Sequence, residues 1–157
     1  MNKDIKKFFK NKYDYIKLEN QLCFPLYACA KGIISRYRKP LEKIKLTYTQ
    51  YIVMMVFWEY ETITEKELAK KVYLDSGTLS PLLKKLEKQG LINRKRNKDN
   101  ERILVLTLTD KSKKLKEKAL EVPVAMQGCV NLSVEEMATL RKLLNKMIRK
   151  FKEKEEI

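Results

Sequence analysis

Hydrophobic residues recur along this chain with two different periods, and the change of period marks its centre. Leu79, Leu82, Leu83 and Leu86 repeat at helical spacing behind the turn-forming residues Asp75, Ser76 and Gly77. The repeat stops at Gly90, the residue that most readily takes the left-handed position after a helix. The period then falls to two. Leu91 to Arg96 reads as one strand and Ile103 to Leu108 as a second, with Leu104, Leu106 and Leu108 on one face. The polar run Asn97 to Glu101 joins them as a hairpin loop. A helix followed by a basic hairpin is the outline of a winged helix.

Three capping boxes mark further helix starts. Thr47 with Gln50 opens the almost wholly apolar TQYIVMMVFWEY, Thr64 with Glu67 opens EKELAKKV, and Ser133 with Glu136 opens VEEMATLRKLLNKMIRKF. The middle one, followed by a turn over Val72 to Ser76, supplies the first helix of a helix-turn-helix. Upstream, an amphipathic helix is predicted from Asn20 to Ile44 with Leu22, Leu26, Ile33, Ile34, Tyr37 and Leu41 as its stripe. Pro25 restricts its regular part to a start between Asn20 and Phe24, because proline is tolerated only in a first turn. Met1 to Lys17 carries Ile5, Phe8, Phe9, Tyr13 and Ile16 at roughly helical spacing and reads as a helix or a frayed arm.

After the wing, Thr109 or Asp110 caps a Lys-rich helix through Leu120, and Pro123 interrupts or kinks it before Cys129. The last helix presents Met137, Leu140, Leu144, Met147 and Phe151 on one stripe. A small module closes its own core without long helices at both ends, so residues 18–45 and 110–157 are expected to make a dimer interface around a DNA-binding segment 47–109. The whole chain, 1–157, is expected to be a single mainly helical winged-helix domain. The alternative is that the terminal helices fold back on their own domain.

Charge sharpens this picture. The chain carries a formal net charge of +15, and between Lys84 and Arg102 eight Lys or Arg face three Asp or Glu. A solvated face is the usual fate of a Lys-rich helix. Placed on a helix and the hairpin after it, however, Lys84, Lys85, Arg94, Arg96 and Arg102 form the electrostatic footprint of a phosphate-binding surface. The longest apolar run, Tyr51 to Trp58, is too short to span a bilayer, and MNKDIKKFFK is broken by charge before a signal-peptide core could form, so a soluble cytoplasmic protein is expected.

Composition also removes chemistry. Histidine is absent, and four glycines form no nucleotide-binding loop. Three cysteines at 23, 29 and 129 match no zinc spacing and, being odd in number, no disulfide framework. No metal or cofactor is expected. Cys23, in the first turn of its helix, would meet unpaired backbone N–H groups and the positive end of the dipole, both favouring thiolate. The ordinary fate of a free cysteine is a small buried hydrophobe, and that is how Cys29 reads. Six residues along a helix advance about 9 Å, so Cys29 lies beyond the roughly 7 Å Cα separation at which it could bridge Cys23.

The segments LENQLCFPLYA (Leu18 to Ala28), LTYTQY (Leu46 to Tyr51), YLDSGTLSPLLKKLEKQGLI (Tyr73 to Ile92) and DNERILVLTLT (Asp99 to Thr109) resemble the organic hydroperoxide resistance regulators, a peroxide-sensing branch of the multiple antibiotic resistance regulator family. The resemblance covers most of the chain from Leu18 onward. It implies a homodimeric winged-helix repressor that binds palindromic operator DNA and releases it when an organic hydroperoxide oxidises Cys23. Tyr27, Tyr37 and Tyr48 match tyrosines around the reactive sulfur, with Phe24 as apolar company. Ser76, Gly77, Thr78, Ser80 and Lys84 fall on the recognition helix, and Asp99 and Arg102 at the wing tip. Cys129 resembles in position the second cysteine of members that resolve oxidation by an intersubunit disulfide. Pro25 departs from the aliphatic residue more usual there, and the extension before Leu18 is longer than is usual in the branch. Competing expectations are a regulator that answers to a small aromatic ligand, a thiol peroxidase with Cys23 catalytic, and an architectural DNA-binding protein with no sensor.

Overall fold

The computed structural model describes residues 11–155, which divide after Met126 into two compact units. The expected helix or arm over Met1 to Lys17 lies in part outside them; its described remainder is a 3-10 turn, Lys12–Ile16, followed by a second, Leu18–Asn20.

The first unit is built on α2 (Tyr48–Tyr60), whose residues are apolar almost all round, the pattern of a helix enclosed on every side. Val53, Met54 and Phe57 are fully buried. Thr47 starts it through the expected reciprocal pair: Gln50 N–H donates to Thr47 Oγ1 at 3.3 Å, and the Thr47 N–H donates to Gln50 Oε1 at 2.8 Å. The same device opens α3 (Glu65–Val72), with Thr64 and Glu67 exchanging bonds of 3.0 and 3.2 Å. α4 (Ser76–Lys88) lays Leu79, Leu83 and Leu86 into the core, each completely buried.

Gly90 closes α4 as expected. Its φ of 69° lets the N–H of Gly90 reach the Glu87 carbonyl at 2.8 Å and that of Leu91 reach the Leu86 carbonyl at 3.0 Å. Strands β2 (Ile92–Arg96) and β3 (Leu104–Leu108) then pair antiparallel with Arg94 opposite Leu106. A third strand, β1 (Thr62–Thr64), was not foreseen. It is three residues long, too short to show alternation, and it exists because Ile63 is buried opposite Leu106 on the free edge of β3. The sheet order is β1-β3-β2.

α1 (Cys23–Lys43) begins inside the expected range of Asn20 to Phe24, after Leu18–Asn20 has wound as a 3-10 turn. Pro25 therefore stands at the third position of α1, where a missing N–H forfeits no intrahelical bond. The expected stripe is buried only near the end of the helix. Leu41 is buried and Tyr37 packs on the core, whereas Leu22 is 67% and Ile34 43% exposed. Cys29, expected in the core, is exposed, since only the C-terminal part of α1 reaches α2 and the helices after the wing. Those are α5 (Asp110–Ala119), capped by Thr109, and α6 (Glu121–Ala125). The chain breaks at Leu120, and Pro123 sits in the first turn of α6.

The second unit holds α7 (Val134–Glu155). Ser133 and Glu136 form its capping box with bonds of 2.8 and 3.2 Å. Of the expected stripe, Met137, Leu140 and Phe151 are exposed in the single chain, and Leu144 and Met147 are partly covered. Among the described residues no helix is long and apolar enough to cross a membrane.

Candidate functional site

The amino end of α4 is shaped by Asp75. Its carboxylate accepts the Thr78 N–H at 2.8 Å and the Thr78 hydroxyl at 2.8 Å. Those bonds, the hydroxyl's first and the backbone's second, hold the Asp75 carboxyl below its ordinary pKa. Ser76, Gly77 and Thr78 are exposed on this first turn and Ser80 is half-buried. Lys84, Lys85 and Lys88 are exposed further along, opposite the buried leucines. One outward surface of α4 thus begins with small polar groups and backbone N–H groups and ends in ammonium groups, a form that suits a groove between phosphates.

The wing is built by asparagines. Asn97 Oδ1 accepts the N–H of Asp99 at 2.8 Å and of Asn100 at 3.3 Å, and Asn100 Oδ1 accepts the N–H of Arg102 at 3.1 Å. Arg96 donates to the Glu101 carbonyl and ties the strand end to the tip. Asp99 and Arg102 both lie exposed at the tip, but the local folding is done by Asn97 and Asn100. Two asparagines spaced to bond their own backbone two residues on were the available signal.

Arg94 stands apart from the other candidates. Its side chain is only 16% exposed and pairs with Glu87 of α4 at 3.6 Å, bracing the wing against the helix. Lys95, Arg96, Lys98 and Arg102 remain exposed. The exposed cationic set is therefore Lys84, Lys85, Lys88, Lys95, Arg96, Lys98 and Arg102.

The second candidate site is at the amino end of α1. Cys23 is the first residue of α1 and is exposed, with no side chain capping the helix end. Tyr27 lies one turn further on the same face, 62% exposed, its ring 5.9 Å from the Lys31 ammonium. Phe24 is 40% exposed. Tyr37 and Tyr48 are brought together, ring centroids 5.0 Å apart, and Tyr37 also meets Tyr51 at 6.1 Å. They are not brought to Cys23. Fourteen residues of continuous helix separate Cys23 from Tyr37, about 21 Å at 1.5 Å per residue. Within one chain the expected pocket is in two halves.

Cys129 belongs to the second unit, in the turn before α7, and is partly exposed beside Gly128, whose φ is 74°. Among the described residues no group of three or more Cys, Asp or Glu is placed to hold a metal ion.

A helix-turn-helix carrying a three-stranded wing and an outward cationic surface defines a winged-helix transcriptional regulator. The family of transcriptional regulators SarA/Rot matches residues 30–119. The chain is 44% identical over 135 residues to the organic hydroperoxide resistance transcriptional regulator of Bacillus subtilis, covering 86% of this chain and 92% of that protein. Two solved structures of AbfR, a Staphylococcus epidermidis protein, also align with it. Reduced AbfR bound to DNA superposes with a TM-score of 0.76 at 30% identity, covering 91% of this chain and 98% of that one. Overoxidized AbfR bound to DNA superposes at 0.73 and 30%, covering 90% and 99%. The chain belongs to the SarA/Rot and multiple antibiotic resistance family of winged-helix transcriptional regulators, on the branch of the organic hydroperoxide resistance regulators. It is a transcriptional regulator and not an enzyme, which retires the thiol peroxidase expectation.

Proposed function

We propose that the protein binds palindromic operator DNA as a homodimer, represses from it, and lets go when an organic hydroperoxide oxidises Cys23. The observation that supports this reading is an exposed thiol at the uncapped start of α1 in a chain whose clustered Tyr37 and Tyr48 lie too far along the same helix to reach it. In such a dimer Tyr37 and Tyr48 of one protomer stand over Cys23 of the other, their hydroxyls donating to the thiolate. Each sensor is complete only in the dimer.

On the DNA side, α4 enters a major groove through Ser76, Gly77, Thr78, Ser80, Lys84 and Lys85, and the wing carries Arg96, Asp99 and Arg102 to the flanking minor groove. Arg94 contributes by holding the wing. Symmetric half-sites follow from the twofold symmetry of the dimer.

The chemistry balances. The Cys23 thiolate attacks the distal oxygen of R–O–O–H and takes it with its hydrogen as a sulfenic acid, while the O–O bond breaks and the alkoxide leaves, becoming the alcohol by taking a proton from water. A second thiol, with Cys129 of the partner as candidate, then displaces water to give a disulfide. Phe24, Leu26 and Tyr27 favour an alkyl peroxide over hydrogen peroxide. AbfR bound to DNA in both its reduced and its overoxidized forms supports a release step that depends on a covalent link rather than on added oxygen atoms. Intact mass after one equivalent of cumene hydroperoxide, taken with and without reductant, tests the scheme: a +16 Da or disulfide product confined to Cys23-containing protein is expected. Unchanged mass together with full operator binding overturns it.

A further inference from the structure

The chain has four prolines. Pro25 and Pro123 stand in first turns, where the missing N–H forfeits no bond. Pro40 lies half-buried inside α1. Pro81 differs from all three, being the sixth residue of the recognition helix α4, in its interior and exposed. A regular helix carries a bond at that point from the N–H of residue 81 to the carbonyl of Gly77. Pro81 has no N–H to make it, and its ring crowds that carbonyl outward.

Both residues lie on the outward face of α4. At about 100° per residue, the buried Leu79, Leu83 and Leu86 cover one side of α4, and Gly77, Pro81, Lys84 and Lys88 run in a line down the opposite side, each of them exposed. Gly77 adds no side chain to screen its own carbonyl. A Cβ there would stand 3.0 Å from the Asp75 carboxylate that caps the helix, so the cap itself keeps the position bare.

Water satisfies such a carbonyl in the free protein. Once α4 lies in a major groove that water is displaced, and an acceptor left without a donor is costly. The exocyclic amino groups of adenine and cytosine are donors in that groove, whereas guanine and thymine present O6 and O4, which are further acceptors. We propose that the Gly77 carbonyl, released by Pro81, reads one base of each half-site, taking adenine or cytosine and rejecting guanine or thymine on the strand it faces. The proposal rests on the entry of α4 into a major groove argued above, and adds to it a backbone contact that carries sequence information. Pro81 is the positioning residue, acting by withholding a donor.

The probe is a palindromic duplex selected by the wild type from a randomised pool. In one half-site each adenine in turn is replaced by purine, and each cytosine by 2-pyrimidinone, analogues that lack the exocyclic amino group. Fluorescence anisotropy should show one position at which the wild type loses about tenfold in affinity. Pro81→Ala supplies the N–H that occupies the Gly77 carbonyl within the helix. That variant should melt at a higher temperature than the wild type, bind the selected duplex more weakly, and show at most about a twofold loss at that same position. Higher stability with lost discrimination of a single amino group is a pair of effects that a merely structural proline does not produce. Lys84→Gln, run alongside, should weaken binding to every duplex alike and flatten its salt dependence. If no analogue separates the wild type from Pro81→Ala while Lys84→Gln still weakens binding, the backbone readout is overturned and α4 stays in the groove. Full binding by both variants on every duplex overturns that placement as well. A Pro81→Ala protein that melts below the wild type assigns the proline to folding and overturns the readout.

Discussion

The indole of Trp58 donates to the carbonyl of Ser112 at 3.1 Å, and Lys116, one turn further along α5, returns a bond to the carbonyl of Trp58 at 2.8 Å. The pair of bonds crosses between α2 and α5, so the helix that leaves the wing is fastened to the central helix of the core by two donors pointing in opposite directions. Both residues sit more than fifty positions apart in sequence, and α5 itself, rich in lysine, buries little beyond Ser112 and Ala119.

Trp58→Phe should therefore destabilise the protein by about 1–2 kcal/mol, the cost of a buried carbonyl losing its donor together with some packing. Urea unfolding at fixed protein concentration measures it. The slope should stay the same, and the midpoint should fall. A midpoint equal to the wild type would show that the indole contributes only volume.

Asp75 links stability of the recognition helix to pH. Its carboxyl is held below the ordinary value by Thr78, so the unfolded chain binds the proton more readily than the folded one. The stabilisation is fully present above the unfolded pKa of about 3.9 and is lost as pH falls through the lower folded value. Asp75→Asn keeps an N-cap without a titrating group. Its unfolding free energy should vary less steeply below pH 4 than that of the wild type, in circular dichroism melts taken at half-unit steps. Parallel profiles for the two proteins would remove Asp75 as the source.

Much of the architecture was legible because it rests on local chemistry. Thr47, Thr64 and Ser133 announced their helices through bonds made within four residues, and Gly90 announced a stop. β1 was not legible, because three residues gain strand form only from Leu106, more than forty positions away. Cys29 and the stripe of α1 misled for a related reason. Apolar periodicity says that a face is to be covered, not that the same chain covers it, and Leu22 and Ile34 are exposed in the single chain. The candidate site divides in the same way. The cationic cluster was readable as composition, whereas the inward turn of Arg94 toward Glu87 depends on the angle at which the wing meets α4.

That division predicts opposite phenotypes for two arginines of one hairpin. Arg102→Ala removes an exposed tip cation and should weaken operator binding by about 1–3 kcal/mol at matched salt, leaving the melting temperature alone. Arg94→Ala leaves Glu87 unpaired, so it should lower thermal stability and reduce binding mainly by loosening the wing. Fluorescence anisotropy on operator and on scrambled duplex, with a thermal melt of each variant, separates the two. Identical behaviour of both variants in both assays would mean that Arg94 is not set apart by its burial.

The separation of Cys23 from Tyr37 along one unbroken helix makes the sensor testable by complementation. One protomer carries Cys23→Ser with its tyrosines intact; the other keeps Cys23 and carries Tyr37→Phe and Tyr48→Phe. If the hydroxyls act across the dimer, the mixed dimer holds one complete site, made of Cys23 from the second protomer and tyrosines from the first. If they act within a chain, it holds none. The homodimer of the tyrosine variant should react with cumene hydroperoxide at least tenfold more slowly than wild type, because losing the donors disfavours the thiolate. The mixed dimer, isolated by two affinity tags, should react at the wild-type rate per thiol, with half the thiols per dimer. Trapping with dimedone and counting by mass spectrometry gives both numbers. Adding Cys129→Ser to both protomers should leave this first step untouched and abolish the covalent dimer on a non-reducing gel. A mixed dimer as slow as the tyrosine homodimer would show that Tyr37 and Tyr48 do not serve the partner's sulfur, and the sensor would have to be sought around Tyr27 alone.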